Sequence, residues 1–410
     1  MIKLNHYKVS GFKNIKMADL ALSNINVIIG PNNSGKSNFI QSFSFLNFIM
    51  NFSLDELEKM FKKGFFSHQF NGIQPYIDFG QKKQGEIIFD LNFSNTETNR
   101  VFNYYLCLKW KSVGIFDFEF EIFEEFLNYK DNNKPGKASI IFNRQGNNVK
   151  YGGEFGRNKF IEKVPNHFSV IRILKIVATD ESYLDALNSL NLIVKTPIFY
   201  FSNIELLKSE NSDRLNIFNG RVVAFELEDE ILKLESSKET WNIFKEVTKG
   251  ILNIQDVNVI EFSSPAKEDV KSKVKKYLYF MHYGNMKKID QLSDGTVLVL
   301  ALITKILSSE NDLFFIEEPE NSTHPKALVD LFSFINSFSQ SKQFIISSHS
   351  IALLNKTNIN DIIVGCVDKN GLSEFINVKD KKELKKKLNQ SHLNFSDELF
   401  FNDFRENEFE

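Results

Sequence analysis

Two cysteines, eight prolines and seven histidines in 410 residues leave several classes of protein without their raw material. Cys107 and Cys366 belong to no CxxC or Cys/His cluster, so neither a zinc cage nor a disulfide framework is available, and both read as buried thiols of a reducing cytosol. An excess of charge of one sign is lacking as well. Fifty Lys plus Arg against 52 Asp plus Glu give a net charge of -2, which excludes a polycationic nucleic-acid binder and confines any basic surface to a local patch. Long apolar runs are missing: the most apolar stretch, residues 39–52, is broken by Gln41, Ser42, Ser44, Asn47 and Asn51. No membrane span is therefore expected, and the opening MIKLNHYKVSGFKNIK has no apolar signal core, so the expected location is cytoplasmic. No repeat period or sustained heptad seam appears, which excludes solenoids and long coiled-coil arms.

What remains is a globular composition, 42% apolar and 25% charged. The length exceeds one minimal core, so one large domain with an insertion, or two domains, is expected. Forty-two Phe spread along the whole chain read as core packing. At the N-terminus, alternation through Ile2, Leu4, Tyr7 and Val9 predicts a strand, and the run 25–29 predicts a buried one ending at Gly30. Apolar residues at helical spacing then predict a helix over 37–50, and Ser53-Leu54-Asp55-Glu56 reads as a capping box opening a second helix to about Lys63. Runs at 86–93, 102–110, 116–122 and 138–142 predict an antiparallel sheet. Further on, a strand-like run at 197–201, helical stretches near 203–211 and 240–252, and strands at 257–262 and 276–282 are expected. A helix over 296–307, a strand over 313–316, a helix from Pro325 to about Phe338 and a strand over 343–347 close the pattern. Strands alternating with helices at both ends predict a parallel α/β core split by a large insertion.

Gly30-Pro31-Asn32-Asn33-Ser34-Gly35-Lys36-Ser37 matches GxxxxGK[ST] in the context that motif requires, after a buried strand and before a helix. Its glycines let backbone N–H groups curl toward phosphate oxygens. Lys36 would reach the β- and γ-phosphates, and the Ser37 hydroxyl would bind Mg²⁺. Downstream, Leu313-Phe314-Phe315-Ile316 delivers Glu317 and Glu318 at a strand end, where two carboxylates are costly unless they serve a metal or a reacting water. Glu317 would orient Mg²⁺ and Glu318 polarise the attacking water. The alternative is an acidic turn, since Glu318-Pro319-Glu320-Asn321 is also good loop chemistry. Leu292-Ser293-Asp294-Gly295-Thr296 precedes an apolar helix and offers either an anion-binding helix end or a plain N-cap. Ser347-Ser348-His349-Ser350 sets a histidine where a strand runs out, within reach of a γ-phosphate or water.

The order of these pieces, phosphate loop, LSDGT, EEP and SSHS, resembles the ABC-type ATPase heads of the SMC and RecF superfamily, and within it the OLD-like (overcoming lysogenization defect), AAA-labelled bacterial defence ATPases. Gly11-Phe12-Lys13-Asn14 is similar to the F-[RK]-N turn of that superfamily, and Glu317 to Pro325 to its EEPExxxHP segment. The resemblance is dense over residues 1–45 and 285–355. It implies an ABC-type (P-loop) head, an α/β fold with a mixed sheet, an antiparallel β lobe and a helical insertion. The implied division is a split core of 1–95 and 285–368, an insertion over 96–284 and a C-terminal tail over 369–410.

Carried onto this chain, the resemblance implies ATP held by Lys13, Gly30, Asn33, Ser34, Gly35, Lys36, Ser37 and Asn38, and by Ser293 and Gly295 of the opposite protomer. It implies Mg²⁺ held by Ser37, Glu317 and a Q-loop residue, for which Gln81 competes with Gln74 and Gln84, and catalysis by Glu318 with His349 as the switch histidine. LSDGT in place of LSGGQ, and Glu317 in place of Asp, argue against a transporter subunit. About 60 residues follow His349, and Asp361 and Asp368 form no DxD pair, so a Toprim nuclease in the same chain is not expected. The expected partners are a second copy through ATP, an effector nuclease or toxin in trans, and DNA or RNA by local contact. RecF-like repair and a nucleotide-gated scaffold holding a toxic effector are the alternatives.

Overall fold

The computed structural model describes residues 1–56, 84–113, 118–153, 162–196, 198–200, 227–263 and 274–380. The chain opens with β1 (Ile2–Phe12), β2 (Ile15–Ala21) and β3 (Ile25–Ile29), then the glycine-containing loop and α1 (Lys36–Asn51). An antiparallel meander follows, made of β4 (Gln84–Asn95), β5 (Arg100–Ser112), β6 (Phe118–Asp131), β7 (Ser139–Gln145) and β8 (Asn148–Tyr151). After it come α2 (Val170–Val177), α3 (Glu181–Val194), β9 (Ile198–Tyr200), α4 (Leu227–Leu234) and α5 (Lys238–Leu252). The hairpins of β10 (Asp256–Ser263), β11 (Val274–His282) and β12 (Asn285–Lys287) lead into α6 (Asp294–Ser308) and β13 (Leu313–Glu317). The described chain ends with α7 (Pro325–Ser337), β14 (Gln343–Ser347), α8 (Ile351–Leu354), β15 (Ile362–Val367) and β16 (Ser373–Asn377).

Among the described residues, a 13-stranded mixed sheet runs in the order β8-β7-β6-β5-β4-β1-β2-β16-β15-β3-β14-β13-β9, and β10-β11-β12 form a small second sheet. The expected α/β class with a mixed sheet and an antiparallel lobe is the one observed. Strands β15, β3, β14, β13 and β9 are parallel neighbours. Because both faces of this part are covered, β3, β13 and β14 are buried at every residue, which is why they read as continuous runs. On one face α1, α2 and α3 pack over Tyr7, Phe89, Phe315 and Ile345. On the other, α4, α5, α6 and α7 pack over Val27, Ile29, Phe314 and Ile346. Side chains of β13 therefore alternate between two cores, the period-two geometry of a strand.

Much of the phenylalanine content packs in these cores. Phe43 of α1 stacks on Tyr7 at 4.1 Å and lies 4.7 Å from Phe315, fixing the helix to both β1 and β13. The capping box expected at 53–56 is present, with Ser53 N donating to Glu56 Oε2 at 2.6 Å and Glu56 N to Ser53 Oγ at 3.1 Å. The expected continuation to Lys63 and the helical stretch near 203–211 lie outside the described residues.

Other elements carry no expectation from the sequence. The stretch Val170–Val177, rich in β-branched residues, is helical, capped by Ser169, whose hydroxyl accepts from Ile171 N, and packed in the α1-side core. Asp180 caps α3 in the same way. Strand β2, with two exposed residues after Ile15, was hidden by its mixed polarity, and tertiary pairing with β1 and β16 makes it a strand. Phe43→Ala is expected to lower unfolding free energy by about 3–5 kcal/mol, as buried aromatic truncations do, read as a lower urea midpoint with an unchanged slope.

Candidate phosphate-binding site at the strand ends

The register of the parallel strands sets Glu317 of β13 opposite Ser347 of β14, and Ser347 opposite Ile28 of β3. The loops leaving these three strands at their C-terminal ends therefore share one crevice, the place where open α/β sheets bind ligands. A cavity of about 850 Å³ opens there, lined by Asn14, Asn32, Asn33, Ser34, Gly35, Lys36, Ser37, Asn38, Glu318, His349, Val367 and Gly371. Its size suits a nucleotide-sized ligand.

The loop before α1 turns at Gly35, whose φ of +82° and approach to Asn14, 2.7 Å from a would-be Cβ to Oδ1, both require glycine. No side chain caps α1, so its first amides stay available to an anion at the positive end of the helix dipole. Lys36 Nζ is buried and donates to the carbonyls of Gly30 and Pro31, each at 3.0 Å. Burial pushes its pKa down to about 8, opposed by the carboxylates of Glu318, Glu320 and Glu317. Lys13 lies in the β1–β2 turn and donates to Gln41 Oε1 at 2.8 Å and Asn38 Oδ1 at 3.3 Å. Burial takes it down to about 8 as well, against the pull of Glu317.

Ser37 Oγ donates to Glu317 Oε1, while Glu317 Oε2 is buried and has no hydrogen-bond partner among the described residues. Burial raises the Glu317 pKa, and the Ser37 bond opposes the shift. Glu318 adopts the left-handed conformation, φ +48°, which turns its carboxylate toward His349, with Oε1 3.4 Å from Nε2. Its Oε2 accepts from Asn321 Nδ2 at 2.8 Å. The loop carrying His349 is held by Glu320, which accepts from the His349 backbone N–H and from Ser348 Oγ at 3.0 Å. Burial holds the His349 pKa below its usual value, helped by the charge of Lys36 and opposed by Glu318, which favours a neutral ring.

Of the residues singled out in the sequence, Lys13, Gly30, Asn33, Ser34, Gly35, Lys36, Ser37, Asn38, Glu317, Glu318 and His349 converge on this crevice. Ser293 and Gly295 do not line the cavity. Ser293, itself exposed, caps the otherwise buried α6, accepting from Thr296 N, and Gly295 lies so close to the turn after Glu318 that a Cβ would stand 1.8 Å from the Ser322 carbonyl. Gln81 and Gln74 lie outside the described residues, and Gln84 lines a different cavity beside Trp110. Sequence reasoning passed over Asn14 as a site residue. Its amide donates to Asn33 O at 3.0 Å and Ser373 Oγ at 2.9 Å and accepts from Asn38 Nδ2 at 2.7 Å, so it props the loop. Glu320 was passed over too; its signal was a third carboxylate in the same short motif.

Ser37 and Glu317 supply hard oxygen donors, and the orphaned Glu317 oxygen suits a divalent cation. No cluster of three His, Cys, Asp or Glu that would cage a metal alone exists among the described residues. Mg²⁺ takes one or two protein oxygens and completes its shell with phosphate and water.

A buried-strand phosphate loop, an adjacent strand-end carboxylate pair and a histidine between them define the class, a P-loop ATPase domain. Residues 25–355, well over half of the chain, match the family described as "AAA domain, putative AbiEii toxin, Type IV TA system", and the chain belongs to that family. Among solved structures, an SMC head bound to the C-terminal winged-helix domain of ScpA is similar at 13% identity, covering 92% of this chain and 99% of that one, with a TM-score of 0.48. The SMC head domain from Thermotoga maritima is similar at 13% identity over 92% of this chain and 98% of that one, TM-score 0.42. An SMC head with an extended coiled coil, bound to the C-terminal domain of ScpA and derived from Pyrococcus furiosus, gives 12% identity, coverage of 95% and 100%, and a TM-score of 0.46. No curated protein matches the chain.

Phosphate binding favours protonated Lys36, so nucleotide binding is expected to take up a proton between about pH 7.5 and 9 and to weaken as pH rises through about 8. Calorimetry in buffers of different ionisation enthalpy reads that uptake. Lys36→Ala should reduce it and weaken binding roughly ten- to a hundredfold; binding unchanged across this pH range would contradict the role given to Lys36.

Proposed function

We propose that the chain binds ATP with Mg²⁺ and hydrolyses it in an ABC-type composite site formed by two copies, as the sensor or motor of an OLD-like bacterial anti-phage or DNA-processing system whose effector acts in trans. The observation that carries the catalytic part is the convergence of Lys36, Ser37, Glu317, Glu318 and His349 on one cavity. The backbone amides at the start of α1 and the Lys36 ammonium bind the β- and γ-phosphates. Ser37 and Glu317 hold Mg²⁺, which when bound neutralises charge on those phosphates. Glu318 orients a water toward the γ-phosphorus and accepts its proton. A neutral His349 donates a hydrogen bond from its ring to a γ-phosphate oxygen.

Ser293 and Gly295 sit on an exposed helix end outside their own chain's cavity, which supports their use against nucleotide held by a second copy. The defence assignment is supported by the LSDGT and EEPENSTHP segments and by the family description, which names a toxin of a Type IV system. A nucleotide-gated scaffold that sequesters a toxic effector, and RecF-like DNA repair, are the alternative readings. Residues 96–284 are the proposed docking region for the effector or for nucleic acid.

Glu318→Gln should keep ATP binding and stop hydrolysis, because the amide preserves shape but accepts no proton. With the sandwiched ATP no longer consumed, this variant should elute as a stable dimer in Mg-ATP, and adding Ser293→Arg should return it to monomer. A Glu318→Gln chain that stays monomeric at saturating ATP would sink the composite site. Turnover at the wild-type rate would sink the base.

A further inference from the structure

Register pairs Glu317 with Ser347 at the ends of β13 and β14. Leu313, Phe315 and Ile345 belong to the core on the α1 side, so by alternation Glu317 and Ser347 continue that same face to its polar end. Ser347 is fully buried and its Oγ has no hydrogen-bond partner among the described residues; the buried Oε2 of Glu317, its register partner, has none there either. On its other side Ser347 meets Ile28, which offers no polar side chain. The next residue, Ser348, is satisfied by Glu320.

A buried donor left unpaired destabilises the fold, and an apolar residue would fill the site without that penalty. Two orphans of complementary character, a donor hydroxyl and an acceptor carboxylate oxygen, sit at paired register positions on one sheet face, the carboxylate bonded through its other oxygen to Ser37, and one missing partner would satisfy both. Mg²⁺ keeps several of its waters when protein-bound, and such waters are commonly fixed by groups outside the coordination sphere. We propose that Ser347 is a positioning residue of the divalent-cation site, its hydroxyl and Glu317 Oε2 together holding a water of the cation's shell. The proposal rests on the nucleotide and Mg²⁺ reading above and adds a residue to it.

The test uses the full chain, Mn²⁺ as the spectroscopic stand-in for Mg²⁺, and a non-hydrolysable ATP analogue. Free Mn²⁺ is read by electron paramagnetic resonance, and analogue binding in EDTA is measured in parallel. Ser347→Ala should weaken Mn²⁺ binding about ten- to a hundredfold, while analogue affinity in EDTA stays at the wild-type value and the metal-free melting temperature is at or above it. Ser347→Thr, which keeps the hydroxyl, should retain most of the Mn²⁺ affinity. Wild-type Mn²⁺ affinity in Ser347→Ala would overturn the proposal. So would an equal loss in Ser347→Thr, or a lower metal-free melting temperature in Ser347→Ala, since either shows a packing role. A wild-type chain that binds neither the analogue nor Mn²⁺ with it brings down the nucleotide reading, and this proposal with it.

Discussion

The parallel register of β3, β14 and β13 is the constraint on which the rest of the site depends. It brings the ends of three strands far apart in sequence to one edge, with Ser347 between Ile28 and Glu317. Each strand is buried on both faces, so a slip would drive core residues such as Phe315 and Ile345 to the wrong layer, and register is strongly specified. The phosphate loop, the carboxylate pair and the histidine inherit their proximity from that pairing. α1 is clamped by Phe43 between Tyr7 and Phe315, which fixes the Ser37 end of the helix against Glu317.

Burial leaves the crevice electrostatically unbalanced. Two lysines, Lys13 and Lys36, are pushed down toward neutrality, while Glu317 and Glu320 are pushed up. Groups of both signs are thus held under desolvation in and around one crevice, an arrangement typical of sites that meet charged ligands. A polyanion relieves the lysines, and a divalent cation relieves Glu317. Glu320 plays a different part: bonded to the His349 loop, it locks the segment after β14 to the segment after β13, and Gly295 of α6 packs on that same segment at Ser322. The histidine and the exposed α6 end are therefore joined by a short path of contacts through residues 318–322.

The chemistry-bearing motifs were legible because each combined a run of apolar residues with polar punctuation at its end: Ile25–Ile29 into Gly30, Leu313–Ile316 into Glu317, Gln343–Ile346 into Ser347. Strand β14 was located to the residue. Less legible was whatever tertiary packing decides. Helix α2 carries many β-branched residues, and only its Ser169 cap and its place in the core betray it. Strand β2 has its polarity set by neighbours distant in sequence; β9 falls within the strand-like run expected at 197–201, but its place beside β13 in the parallel core was not legible. Asn14 and Ser347 escaped notice because a buried amide and a buried hydroxyl look like ordinary turn and strand-end residues until their partners, or the lack of them, are seen.

The most direct measurement is a crystal structure of the chain with Mg²⁺ and a non-hydrolysable ATP analogue. The expected result is a triphosphate wrapped by residues 30–38, with Lys36 released from the Gly30 and Pro31 carbonyls onto phosphate oxygens and the cation against Ser37 and Glu317. Saturated crystals showing the analogue bound elsewhere, or Lys36 still bonded to those carbonyls with the crevice empty, would contradict it.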